Sequence, residues 1–414
     1  MMTTANYLNR SRLFRQLSSG PHGQYVHHFA SCLIRDGLCR HSTWRSLNLF
    51  RDLMLWAAAS KLVAADLNER VVEAFLGFRA ERQSIQPGDR AAMVRLLLAL
   101  REAGLIAPAA ISPPTEHEAI FQAFSDYLEK ERGLAPTSAL RHLPVVRQFL
   151  WELCPSGAAA LGKLDQEDII QYIERHASDW SPRTGKVMCW ALRAFLRYLY
   201  FKGLISLTLA DCVPSIRRWK FASLPTYMSV QQVQSVLDSC DRTTATGRRD
   251  YAVLMMLAKL GLRAGEVAVL TLDDIDWRTG EMLLYAKGRR RSMMPIPPDV
   301  GGAIVAYLRY GRPQSSCRRL FLRMLAPHVG FASGCAITMI AKQALNRASV
   351  HGYAHRGAHL FRHSLATELF RSGATLSEIG QLLRHESIDS TRIYAKVDID
   401  ALRPLCLPWP GGTQ

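Results

Sequence analysis

The chain has 414 residues, 52 Lys and Arg against 35 Asp and Glu, and a formal net charge of +17. That length exceeds one hydrophobic core and predicts two or three domains, while 48% hydrophobic residues exclude a wholly disordered chain. No apolar run approaches the roughly 18 residues of a membrane span, and the N-terminus lacks the apolar centre of a signal peptide, so a cytoplasmic protein with no membrane partner is expected.

Residues 1–112 read as helical. Their apolar positions run in step with later ones. Phe29, Leu33, Gly37, Arg45, Leu47, Arg51 and Leu55 stand 95 or 96 positions before Phe124, Leu128, Gly133, Arg141, Leu143, Arg147 and Trp151. Leu67, Val72, Phe75 and Leu76 stand 97 before Leu164, Ile169, Tyr172 and Ile173. Leu96, Leu97, Leu100 and Gly104 stand 99 before Phe195, Leu196, Leu199 and Gly203. A slowly drifting offset is what small insertions produce. The expectation is a tandem pair of helical modules, and different helix connectivity in the two would refute it.

A Pro-rich boundary near residues 107–115 opens a second helical stretch. Thr115 and Glu118 make a capping box before Ile120, Phe121 and Phe124. The next run, with Leu140, Leu143, Val146 and Phe149, contains Pro144 as an expected kink. Asp165 caps a third helix. Ser181 and Pro182 start a fourth, which runs to Lys202 and stops at Gly203. This fourth helix carries Lys186, Arg193 and Arg197 beside Trp190, Phe195 and Tyr198. A second boundary lies near residues 214–226, where Pro214 and Pro225 flank Arg217, Arg218 and Lys220.

The third stretch mixes elements. Arg249 to Leu260 reads as a helix ended by Gly261. Glu281 to Tyr285 and Ser292 to Ile296 read as two strands around a Lys-Gly-Arg-Arg-Arg tip. Helices follow Pro297. The predicted fold class is mainly α with a small antiparallel β-sheet in the C-terminal domain.

The basic excess suits a polyanion, nucleic acid before an anionic membrane surface. It is largest in residues 221–414, at +9, against +6 in residues 1–112 and +2 in residues 113–220. Nine Cys, an odd number with no CxxC pair, predict neither a disulfide framework nor a zinc site.

Five pieces of the third stretch carry chemistry: Gly261-Leu262-Arg263-Ala264-Gly265-Glu266; Lys287 with Arg289, Arg290 and Arg291 at the hairpin tip; His359-Leu360-Phe361-Arg362-His363; Gln381-Leu382-Leu383-Arg384-His385; and Tyr394, nine residues after His385. Arginines, a lysine and histidines can surround a phosphate, and guanidiniums match its non-bridging oxygens. A tyrosine beside them can attack phosphorus and hold it covalently. Glu266 stands alone, without the acidic cluster that would hold Mg²⁺. The set therefore points to phosphoryl transfer with no metal and no cofactor, its charge stabilised by side chains. His359 and Arg362, at i and i+3, share one helix face. His363 reads as packing or support.

Taken together, in this order and spacing, the five pieces resemble the catalytic domain of the tyrosine recombinase (phage integrase) family. The resemblance covers roughly residues 115–400 and implies a helical core-binding (SAM-like) DNA-binding domain over 113–215. It further implies an α+β catalytic domain over 222–400 and a C-terminal tail over 401–414, with residues 1–112 as an extra N-terminal domain. Carried over residue by residue, it implies that Tyr394 attacks the scissile phosphodiester and forms a 3′-phosphotyrosyl bond. Arg263 and Arg362 would clamp the non-bridging oxygens. Lys287 would protonate the departing 5′ oxygen; arginine, with its pKa above about 12, is the poorer proton donor. His359 would donate to phosphate or take the tyrosine proton. His385 would add a hydrogen bond to the phosphate, and Glu266 would support the active-site cations. The family usually has Gly before the second histidine. Here Arg384 stands there, and it is expected to reach a DNA phosphate or to alter the turn.

The function expected is site-specific recombination of double-stranded DNA for the integration, excision or transposition of a mobile element. A nucleoid-associated enzyme is expected, working as a homo-oligomer, a tetramer in the synaptic complex, with partner recombinases as possible companions. Lys186, Arg193, Arg197, Arg217, Arg218, Arg289, Arg290, Arg291 and Arg384 are the expected further DNA contacts. The alternatives are a relaxing topoisomerase of the same chemistry and a non-catalytic accessory DNA-binding protein.

Overall fold

The computed structural model describes residues 8, 11–82, 84–86, 88–109, 115–134, 136–155, 157–216, 226–285, 291–353, 356–385, 387 and 389–397. By compactness the chain forms two units. One comprises residues 1–109 with 223–414, and the other residues 110–222.

The first unit begins with α1 (Arg12–Ser18), α2 (Gly23–Arg35) and α3 (Arg40–Ala59). A 3₁₀ turn (Ala64–Asp66), α4 (Glu69–Ala80) and α5 (Asp89–Glu102) follow. Val26, Phe29, Leu33, Leu47, Phe50, Leu53, Leu96 and Leu100 are fully buried in its core. Each such side chain contributes roughly 1.5–3 kcal/mol by leaving water. Between the helices run ion pairs: Arg35–Glu102, Arg45–Asp89, Arg79–Asp52, Arg90–Glu73, Arg95–Asp36 and Arg101–Glu69. Ala326, from the later part of the same unit, packs on this core. A Cβ added at Gly37 would meet the His328 imidazole at 2.7 Å, so the two segments are in close contact there.

The second unit contains α6 (Glu116–Asp126), a π turn (Tyr127–Glu131), α7 (Pro136–Leu153), a 3₁₀ turn (Ala158–Lys163), α8 (Gln166–Ala177) and α9 (Pro182–Phe201). The Thr115–Glu118 capping box and the Asp165 and Ser181 caps are all present. Helix α7 continues through Pro144.

Both α2–α5 and α6–α9 run helix, longer helix, 3₁₀ turn, helix, helix, with a π turn added after α6. Buried Phe29, Leu47, Val72, Phe75 and Leu96 have buried counterparts in Phe124, Leu143, Ile169, Tyr172 and Phe195. Both last helices end in the same way. Leu105 N donates to Leu100 O, and Leu204 N to Leu199 O, each at 2.9 Å. These bonds close around Gly104 and Gly203, both with positive φ, the backbone that glycine adopts without a Cβ clash.

The rest of the first unit comprises α10 (Val230–Asp238), α11 (Ala245–Leu260) and α12 (Ala264–Val269). A sheet of β1 (Ile275–Asp276), β2 (Glu281–Tyr285) and β3 (Arg291–Pro295) comes next. It is followed by α13 (Pro298–Tyr310), α14 (Gly334–Arg347), α15 (Ala358–Arg371), α16 (Leu376–Leu382), α17 (Asp389–Arg392) and a 3₁₀ turn (Ile393–Val397). The strands are antiparallel in the order β1-β2-β3, with Leu283 opposite Met293 and Tyr285 opposite Arg291. Strand β3 begins one residue before the expected start. Met282 and Leu284 point into the core while Leu283 between them is half-buried, the alternation of a half-covered sheet. Helix α11 is buried on nearly every side, from Ala252 to Leu260, and is the spine on which the site is built.

Candidate active site

The site residues come from four short segments around the C-terminal end of α11. Gly261 ends that helix in the left-handed region, at φ +58°, and Arg263 is the N-cap of α12. Glu266, one turn later, is 5% exposed. It accepts from Arg263 Nη1 at 2.8 Å and from the Arg263 backbone N at 2.9 Å.

Helix α15 supplies His359, Arg362 and His363 at i, i+3 and i+4, which places all three on one face. Met228 N donates to Ser364 Oγ at 2.8 Å and ties the helix to the chain before α10. Arg362 is only 2% exposed. Its Nη1 donates to Gly261 O at 2.6 Å and its Nη2 to Leu383 O. Burial, with Arg263 close by, pulls the guanidinium down to about 10. It remains a cation at neutral pH.

His385 follows α16 and donates or accepts through Nδ1 at Thr391 Oγ1, 2.7 Å away. Its ring lies parallel to that of Tyr394, with centroids 6.4 Å apart. Tyr394, in the last 3₁₀ turn, is 1% exposed. Its hydroxyl lies 3.0 Å from His363 Nδ1, and the ring of His359 meets that of His363 edge-on at 4.6 Å. Burial pushes the Tyr394 phenol up to about 12. Burial first, then neighbouring cations and imidazoles, pulls His363 and His385 down to about 4. At neutral pH Tyr394 is thus a neutral phenol, and His363 and His385 are neutral imidazoles beside the cationic Arg362.

Residues 226–400 match the family described as the phage integrase family, and residues 121–203 match the phage integrase N-terminal SAM-like domain. The Sinorhizobium fredii protein y4rA, named an integrase/recombinase, is 36% identical over 99% of this chain and 99% of its own length. The chain belongs to the phage integrase family. It is a tyrosine recombinase, of a class of enzymes that cut and rejoin DNA strands. The tyrosine recombinase XerD of Mycobacterium tuberculosis is 28% identical over 70% of this chain and 96% of its own. In fold, the recombinase resembles the XerH site-specific recombinase in a post-cleavage complex with its difH substrate. That likeness has a TM-score of 0.54 at 17% identity and covers 81% of this chain and 93% of XerH.

Of the residues expected from the sequence, Arg263, Glu266, Arg362, His385 and Tyr394 converge here, with His359 at the rim. Lys287, Arg289, Arg290, Arg217 and Arg218 lie outside the described residues, as does the tail. Arg291 is exposed on β3, with its guanidinium 6.0 Å from the Tyr285 ring centre. Lys186 and Arg197 are exposed on α9. Two of the expected DNA contacts have partners within the protein. Arg193 is half-buried, and its Nη2 donates to Val213 O and Pro214 O at 3.0 and 3.2 Å. Arg384 turns inward, because its backbone takes φ +54° and Glu266 offers a buried countercharge. Its side chain is 9% exposed, with Nη2 2.8 Å from Glu266 Oε2. Sequence reasoning missed His363 as a partner of the tyrosine, although its i+4 spacing from His359 already put it on the site face.

Proposed function

We propose that this recombinase acts site-specifically on duplex DNA through a 3′-phosphotyrosyl intermediate on Tyr394, in the service of a mobile element. Arg263 and Arg362 hold the non-bridging oxygens and offset the charge that builds up at phosphorus. His385 adds a hydrogen bond to the same phosphate, and His359 donates to it from the rim. Lys287 gives a proton to the departing 5′ oxygen. Rejoining needs no ATP, since the phosphotyrosine keeps the energy of the broken phosphodiester. The observation that carries this reading is the convergence of four segments: Arg362 donates to Gly261 O and Leu383 O, Arg263 to Arg384 O, and His385 lies parallel to the Tyr394 ring.

The mobile-element setting is supported by the lengths of the relatives. The integrase/recombinase y4rA aligns with the whole chain, N-terminal helices included, whereas XerD aligns with 70% of it. On this reading residues 1–112 are a divergent copy of the core-binding module at 113–215, and residues 222–400 form the catalytic domain. Both DNA-binding parts contact the duplex, four copies assemble in the synapse, and partner recombinases join them. The enzyme works at the nucleoid. Lys186, Arg197 and the hairpin-tip arginines then touch backbone phosphates, and binding weakens steeply with salt.

The test uses short nicked duplexes tiled across the DNA that flanks the gene. Full-length protein should give an SDS-resistant covalent adduct on some of them, and Tyr394→Phe should give none. Absence of any adduct with the native chain would refute strand cleavage and favour DNA binding alone.

A further inference from the structure

We infer that His363, one residue beyond the clamping Arg362, takes the proton from Tyr394 when the tyrosine attacks. The inference rests on the recombinase reading above and gives one step of it to a residue that the sequence pattern left aside.

The geometry is direct. His363 Nδ1 is 3.0 Å from Tyr394 Oη, within the reach that a general base needs. The rings sit 5.6 Å apart at 59°, so the imidazole edge meets the hydroxyl. His359 touches His363 and is exposed at the helix surface, in place to face the phosphate. His385 lies parallel to the Tyr394 ring, and its Nδ1 is committed to Thr391 Oγ1. Among the described residues, the groups that bear on His363 are therefore few. They are His359 and Arg362 on its own helix, His385 from the turn after α16, and Tyr394 itself. Behind Arg362 stand Arg263, Glu266 and Arg384.

These neighbours explain why His363 is available. Burial first, then the nearby cations and imidazoles, disfavours an imidazolium, so the ring is an unprotonated acceptor at neutral pH. Tyr394, by contrast, is buried and keeps its proton until it reacts. A scissile phosphate brings negative charge into the site, which raises the proton affinity of His363 at the moment the base is required.

The step balances. The bond between Tyr394 Oη and phosphorus forms, and the bond from phosphorus to O5′ breaks. The phenol proton passes to His363 Nδ1, while O5′ takes a proton from the general acid assigned to Lys287. Rejoining runs the same transfers backwards, with His363 returning its proton to the tyrosine. With Nε2 protonated, the neutral ring presents Nδ1 as the acceptor.

The experiment measures single-turnover cleavage against pH, on the flanking-DNA duplex that gives most adduct with the native chain. His363→Asn keeps a polar atom near the Nδ1 position but cannot take a proton. The native rate should fall on the acid side as His363 protonates. In His363→Asn that acid limb should vanish, and the rate above it should drop by about 10²-fold or more, the usual share of a general base. His359→Asn should keep the limb. A difluorinated tyrosine at position 394, whose phenol is more acidic, should restore much of the rate of His363→Asn; a merely structural defect would not respond. If His363→Asn does not fold, the same tyrosine analogue in the otherwise native chain serves instead and should flatten the acid limb, since a more acidic phenol depends less on a base. The inference is overturned by a His363→Asn rate within about threefold of native. A limb that survives in His363→Asn or disappears in His359→Asn overturns it too, as does an analogue that leaves the limb in place. No adduct with the native chain would overturn the recombinase reading and this inference together. An adduct with an unchanged pH profile would overturn the inference alone.

Discussion

Replacing Glu266 by Gln should be among the most damaging single-atom-scale changes in the catalytic domain. The carboxylate is 5% exposed and accepts two hydrogen bonds from Arg263 and one from Arg384. Gln has one acceptor oxygen, and its NH₂ group must face a guanidinium. Arg263 is about a third exposed at its side chain and can turn to water, but Arg384 is 9% exposed and cannot. Removing one partner of a buried pair costs about 3–5 kcal/mol. The half-open Arg263 side places this case near the lower end, at about 3 kcal/mol. In a domain of this size each kcal/mol moves the melting midpoint by about 2–4 °C, so a fall of roughly 6–12 °C is expected. Urea or thermal melts of Glu266→Gln, Arg384→Met and the double variant supply the assay. The double variant removes both buried charges, so it should recover about 2 kcal/mol relative to the sum of the singles. A Glu266→Gln loss under about 1 kcal/mol, or strict additivity, would refute the claim that Arg384 depends on Glu266.

Three further outcomes follow from the same structure. His363 and His385 sit near 4 in the folded chain and near 6.5 unfolded, so the unfolded chain binds more protons between those values. Stability should therefore be intact above about pH 6.5 and decline as pH falls toward 4; urea midpoints across that range should show the slope, and His385→Asn should reduce it. Gly261→Ala should destabilise by about 2 kcal/mol or more, since φ is +58° and a Cβ would lie 2.6 Å from Leu383 Cδ2. A melt that changes by less than half of that would count against the crowding. Asp89→Asn leaves Arg45 without its countercharge. It should speed hydrogen exchange in α3 and α5 while α11 stays protected, which mass spectrometry can read.

Local chemistry was the legible part of this fold. Thr115 with Glu118, Asp165, and Ser181 with Pro182 announce helix starts because each cap satisfies backbone donors within three residues of itself. The hairpin strands were legible because two short apolar runs flank the Lys-Gly-Arg-Arg-Arg stretch. What escaped depends on partners far away in sequence. Arg384 is inward because Glu266, 118 positions earlier, waits for it, and nothing near Arg384 in the chain says so. Arg193 reads as a surface cation until Val213 and Pro214 return beside it. His363 was within reach of helical spacing but was set aside, because its phenol partner lies on another segment 31 residues on.

The repeated helical order creates an assembly problem inside one chain. Two sets of helices with matching core spacing could pair across sets during folding, a common failure of repeated domains. Apolar side chains alone would not reject such a mismatch, since Phe29 and Phe124, or Leu96 and Phe195, are equally buried in their own sets. The charges would. Asp89, which receives Arg45, stands 99 positions before Met188, and Arg95, which reaches Asp36, stands 99 before Ala194. The last helix of the second set, placed in the first, would set Met188 and Ala194 where Asp89 and Arg95 stand and leave Arg45 and Asp36 without countercharges. The ion pairs of the N-terminal helices thus act as keys of kinship, telling each helix which set it was made for.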